Sequence, residues 1–444
     1  MQGVIRRWFL HEDSWVITLG LGLVLAASLV FLVSPSGWLT SIHLTMPHWA
    51  SWLSLASLLG DRIPYFAGAF VLVLLMTLLS ARGMGLSLGH WTKGFSCLWL
   101  IIGLCIVLGA YSPLKAWKLE GPLLALAIGF VLGNIVTLPE WIRVAMRGEF
   151  WLKLGIILMG ATLPFTVIIN AGPIAIGQSL LVACLGFGTC FLVATKVFGL
   201  DNKLAAALAG GLAVGNITGV IACSEASRAK LSAISTGFVL VVLSSVVLMF
   251  VLTGLSDILG LDGRLAGAWI GSAETADVAG FAALSSMNDD LALQSYTLVK
   301  VIGRDMGVVI WALLVAILAV KQWDQSPEGG ESFALLSFLK EIWVRFPKFI
   351  LGLFGASLVT ALILHLLPTE SSLAYKQEVL GVLKDLRGYF FTLCFLSIGM
   401  TTRWAAIKAI GWRPVAAFSL SILVICLVGC VLSVYTFSDF WMTL

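Results

Sequence analysis

Apolar runs of about 20 residues, separated by short polar stretches, follow one another along almost the whole chain. At 1.5 Å per residue such a run spans the ~30 Å hydrocarbon core of a bilayer as a helix. Cut this way, the sequence gives thirteen candidate spans, beginning near Ser14, Pro64, Phe95, Pro122, Leu152, Ala175, Leu204, Leu231, Leu265, Leu291, Phe349, Gly388 and Pro414. Between the first two, Thr45 to Leu59 (TMPHWASWLSLASLL) is amphipathic, carries two tryptophans and no lysine or arginine, and is predicted to lie along the interface. The one long polar insertion, Lys321 to Glu331 (KQWDQSPEGGE), combines proline, glycine and charge and reads as a solvated linker. The expected architecture is therefore all-α and polytopic, with about 11 to 13 transmembrane helices. It forms a single membrane transport domain over residues 1–444: a first helical block at 14–320, a cytoplasmic linker at 321–348 and a second helical block at 349–436.

Composition agrees with this pattern. Of 444 residues 59% are hydrophobic and 11% charged, with mean hydropathy +1.02, whereas a soluble domain is about 25% charged. The net charge of +4 is small, and the basic residues lie mostly between apolar segments, where they orient the chain. A cytoplasmic amino terminus puts most of them inside, most clearly at 140–153, 321–348 and 403–413; Arg228 to Lys230 and Lys376 to Arg387 fall outside. No basic-aromatic run suggests nucleic acid as a partner. Arg6 and Arg7 precede an apolar run, Trp15 to Val33, long enough to stay as an anchor, so no cleavable signal is expected. The eight cysteines include no CxxC pair and the five histidines are scattered, so neither a disulfide framework nor a metal site is expected. HExxH and GxxxxGK[ST] are absent and no GxSxG stands in a suitable context, which argues against an enzyme and against a bound cofactor.

Three polar stretches interrupt the apolar pattern. Trp269 to Phe281 (WIGSAETADVAGF) lies within an apolar segment, 265–284, yet carries Glu274 and Asp277 among Gly267, Gly271 and Gly280. Carboxylates at that depth are costly. Read as a continuous helix, two of them three residues apart share one face and repel, so they call for a cavity, a bound cation, a proton or basic partners. Ala209 to Ala226 (AGGLAVGNITGVIACSEA) holds Gly210, Gly211, Gly215 and Gly219 with Asn216 and Thr218, a poor recipe for a continuous helix. Either the helix breaks and its freed amides face a ligand, or the glycines let helices pack closely. Leu298 to Asp305 (LVKVIGRD) sets Lys300 and Arg304 four apart on one face. They are counter-charges to the two acids, a clamp for an anion, or snorkelling cations.

A repeat is also visible. Met159 to Pro173 (MGATLPFTVIINAGP) aligns with Ile398 to Pro414 (IGMTTRWAAIKAIGWRP), pairing Gly160 with Gly399, Thr162 with Thr401 and Gly172 with Gly411. These are the fifth and twelfth spans, an odd separation that predicts opposite directions through the membrane. That is an inverted repeat, which places broken helices and a transporter's site near the midplane.

From about Leu119 to Val431 the chain resembles the bacterial YeiH family of proposed sulfate exporters. The resemblance rests on GPLLALAIGFVLGN (121–134), LKLGIILMGATLPF (152–165), GLAVGNITGVIAC (211–223), GSAETADVAGFAAL (271–284), TLVK (297–300) and the 398–414 stretch. It departs from the family at 215–220, where GNITGV replaces a Cys-Gly-x-Ser-Ala-Ile turn. Further departures are Ala273 in place of a histidine, Asp277 in place of a glutamine, and Gly303, which widens the basic pair. The resemblance implies an inverted-repeat carrier in the bacterial inner membrane, exporting sulfate or another small sulfur-containing anion. Site residues expected on the joint reading are Gly215, Asn216, Thr218, Gly219, Lys300 and Arg304 for the substrate, and Glu274 and Asp277 for a coupling proton or sodium. A cation-proton antiporter using the same acids is the alternative, and a homodimer is compatible with the sequence.

Overall fold

The structure is a computed structural model and describes residues 12–33, 44–116, 121–287, 289–319, 323, 347–402, 404 and 410–443. Each of the thirteen apolar segments becomes a helix or a pair of half-helices. Among the described residues, eight are long and apolar enough to cross a bilayer: α1 (Glu12–Val33), α2 (Trp52–Gly83), α3 (Leu88–Gly109), α6 (Phe165–Val197), α9 (Leu231–Ile258), α12 (Asp290–Leu318), α13 (Phe349–Leu366) and α15 (Trp412–Thr436). The other five segments are α4 (Gly121–Ile135), α5 (Gly148–Thr162), α14 (Gly381–Thr401) and two broken helices, α7/α8 (Asn202–Val214, Ile217–Ala226) and α10/α11 (Gly263–Ala273, Asp277–Met287). The chain is an all-α, multi-pass membrane protein.

The helices divide into two compact units that cut across the linear order. One contains Met1–Thr166 and Lys348–Arg403, the other Val167–Pro347 and Trp404–Leu444. One unit boundary, between Pro347 and Lys348, falls beside the start of the second block expected at 349, and the others, after Thr166 and Arg403, lie inside the expected blocks. The linker at 321–348 lies outside the described residues except for Trp323, Pro347 and Lys348. The stretch expected to lie along the interface, Thr45 to Leu59, runs into α2, which starts at Trp52 because Ser51 caps its free amides in a reciprocal box with Ser54.

In the first unit, glycines set how closely helices approach. Gly129 and Gly133 of α4 lie against the backbone of α14 from Leu396 to Met400, and Gly160 of α5 lies against Leu353 of α13; a Cβ at any of them would collide. The aligned repeats end alike. The amide of Leu163 bonds to the carbonyls of Met159 and Gly160, and that of Thr402 to those of Ile398 and Gly399, both in extended conformation. The third aligned pair diverges, since Gly172 lies within α6 while Gly411 precedes α15. Arg403 and residues 405–409 of the second copy are outside the described residues.

In the second unit, both broken helices begin with an aspartate cap. Asp201 accepts the amides of Lys203 and Leu204, and Asp262 accepts that of Arg264. Each then runs 13 or 11 residues before breaking. At the first break Gly215 adopts a left-handed φ of 69°, a conformation that costs other residues about 1–2 kcal/mol. At the second, Glu274 turns extended with ψ 142°.

Candidate functional site

The two breaks meet, and α12 passes beside them. Helix ends leave carbonyls without intrahelical partners and concentrate negative potential there. Arg304 answers both ends at once. Its guanidinium donates to Leu212 and Ala213 at the end of α7, at 2.6 and 3.2 Å, and to Gly271, Ser272 and Glu274 at the end of α10, at 3.1, 2.7 and 2.8 Å. Gly215 is obligatory here on two counts, because a Cβ would strike both the Arg304 guanidinium and the Glu274 carbonyl.

On the other side of the breaks the amino-terminal ends face a charge cluster. Asn216 caps α8 by accepting the Thr218 amide at 3.1 Å, and its Nδ2 donates to Asp277 Oδ2 at the start of α11. Lys300 Nζ donates to the other Asp277 oxygen and to Asp305 Oδ1. Tyr296 supports the same corner, its hydroxyl donating to the Asp277 carbonyl at 3.1 Å. Glu274 folds back so that Oε1 accepts the amides of Thr275 and Ala276 at 2.8 and 3.4 Å.

Burial makes these charges consequential. Glu274 and Lys300 are 0% exposed, Arg304 1%, Asp305 4% and Asp277 5%. Two carboxylate oxygens in the cluster, Glu274 Oε2 and Asp305 Oδ2, are buried and have no hydrogen-bond partner among the described residues. A buried charged oxygen left unpaired is strongly unfavourable, so each retains acceptor capacity that a proton or a cation would satisfy.

The expected site residues sort as follows. Asn216, Glu274, Asp277, Lys300 and Arg304 converge. Thr218 is exposed on the first turn of α8. Gly219 serves close packing, with the backbone of Gly210 against it. Glu274 and Asp277 do not share one helical face as their spacing predicts, because the helix breaks between them. Lys300 and Arg304, expected to clamp an anion, are engaged by carboxylates and carbonyls of the protein. Asp305 was not among the expected residues. Residues 297–304 form a π-helical stretch in which the Asp305 amide bonds to the Lys300 carbonyl five residues back, and this brings the two side chains together.

An all-α membrane protein with two broken helices meeting at buried charges is the class this geometry defines. The chain matches the family described as Conserved hypothetical protein 698 over residues 93–418 and belongs to it. Its relatives include UPF0324 membrane protein RB9488 of Rhodopirellula baltica, 29% identical over 76% of this chain and 61% of that one. A UPF0324 membrane protein of Nitrosomonas europaea is 24% identical over 90% of both chains. The UPF0324 inner membrane protein YeiH of Escherichia coli is 24% identical over 76% of this chain and 92% of its own length. The chain spans 61%, 57% and 55% of the first three relatives it matches, from R. baltica and Nitratidesulfovibrio vulgaris. No solved structure matches it.

Proposed function

We propose that the protein is a secondary active transporter of the bacterial inner membrane, with a cytoplasmic amino terminus, that exports a small anion such as sulfate or another sulfur-containing anion. A proton or sodium ion taken up by the carboxylate cluster drives it. The observation that carries this reading is the buried Glu274 oxygen without a partner, at the meeting of two broken helices. An ion that comes and goes there changes the charge beside two helix breaks, where backbone groups are free to respond.

In this reading Glu274, Asp277 and Asp305 hold the coupling ion, with Lys300 bridging two of them. The anion is held at the amino-terminal end of α8, by Asn216, Thr218 and the first-turn amides, where the helix dipole is positive. Gly215 and Gly219 shape that end, and Arg304 supplies fixed positive charge behind it. No cofactor or chemical step on the substrate enters this reading. In proteoliposomes, imposed proton or sodium gradients should drive labelled sulfate or organic sulfonate flux through the wild-type protein. Glu274→Gln should abolish the gradient dependence, and unchanged driven flux in that variant would refute the assignment.

The engagement of both basic side chains favours a second reading, a cation-proton antiporter in which Lys300 and Arg304 are internal counter-charges. Sodium-driven proton movement without any added anion would select it over anion export.

A further inference from the structure

A second polar feature lies in the other unit, remote in sequence from the carboxylate cluster. A cavity of about 200 Å³ is lined by apolar side chains, among them Leu59, Phe66, Leu100 and Val107, with Arg62 and Tyr389 as its polar members. Arg62 Nε and Nη1 are buried and have no hydrogen-bond partner among the described residues. Tyr389 is fixed in place, its ring stacked on Trp99 at 5.3 Å and its hydroxyl donating to the Leu44 carbonyl at 2.8 Å. Asp385 takes its hydrogen bonds from the backbone at Leu44 and Thr45 and forms no ion pair with Arg62.

A guanidinium is always charged, and Arg62 is half-buried with two of its donors, Nε and Nη1, covered and unpaired, which is unfavourable without an anion. The depth of Arg62 indicates where that anion comes from. Ile63 to Ala81 contains no charged residue and is bracketed by Arg62 and Arg82. Those nineteen residues are about 28 Å long as a helix, close to the ~30 Å hydrocarbon thickness. Arg62 therefore stands at the level of lipid headgroups, with an apolar chamber beside it.

We propose that this cavity binds an anionic membrane amphiphile, its headgroup on Arg62 and the upper part of its chain against Leu59, Phe66 and Leu100. The shared chemistry is an anion on an acyl chain, supplied by an acidic phospholipid or by a free fatty acid. The site is independent of the transport reading.

The test is thermal unfolding of the full-length, delipidated protein in detergent with phosphatidylglycerol, dodecanoate, dodecanol or sodium sulfate added singly. Phosphatidylglycerol or dodecanoate should raise the unfolding temperature in a concentration-dependent way, and whichever acts names the source. Arg62→Gln should lose that increment. Leu59→Trp, which keeps the arginine but fills the chamber, should lose it as well. The proposal is overturned if neither amphiphile shifts wild type, if both variants shift as wild type does, or if dodecanol or sulfate alone reproduces the effect.

Discussion

The sharpest requirements fall on single residues. Gly215 has a left-handed backbone and a guanidinium where its Cβ would be. Gly215→Ala should therefore lose at least about 1–2 kcal/mol from backbone strain, with further loss from displacing Arg304. Thermal unfolding of the purified variant would measure it. Gly219→Ala meets the Gly210 backbone instead, so its effect should appear as destabilisation with ion coupling preserved in the protein that folds. Asp305 shows why one member of the cluster escaped the sequence reading. At α-helical spacing, residues five apart lie on different faces; in a π-helical stretch they align. LVKVIGRD carries no proline or run of glycines to announce that stretch, whereas Lys300 and Arg304 were legible as an ordinary four-residue pair.

At the scale of elements, the two breaks were unequally legible. Four glycines with Asn216 announced the first, since glycine weakens a helix and asparagine caps one. The second is marked by Glu274 and Asp277 in apolar surroundings among three glycines, which pointed to unusual electrostatics without locating the break. What the sequence could not supply was the convergence of α7 and α10 on one side chain, because residues 212, 271 and 304 meet only through tertiary packing. That convergence makes a strong prediction. Arg304→Gln leaves carbonyls of two helix ends without their shared cation and should destabilise by about 3–5 kcal/mol, as when one partner of a buried charged network is removed. Arg304→Lys keeps the charge but cannot spread five donors in a plane, so it should recover only part of the loss. Equal stability of all three proteins in denaturant unfolding would mean that Arg304 does not hold the breaks.

For the whole molecule, the proposed transporter reading turns on the balance of buried charge. The cluster contains three carboxylates, Glu274, Asp277 and Asp305, and two cations, Lys300 and Arg304, all at most 5% exposed. With every group ionised it carries one net negative charge, a state that low-dielectric surroundings disfavour. One proton or one sodium ion neutralises it, and the unpartnered Glu274 and Asp305 oxygens are where that ion has acceptors available. If the protein is the proposed ion-coupled anion carrier, one monovalent cation per turnover is expected, read in proteoliposomes from the ion gradient that just halts anion flux. Asp305→Asn removes one negative charge and leaves the emptied cluster neutral, so net flux should continue down the substrate's own gradient while losing its response to the ion gradient. If Asp305→Asn kept the wild-type coupling ratio, the buried acids could not be acting as one unit, and ion binding would have to be assigned to Glu274 alone.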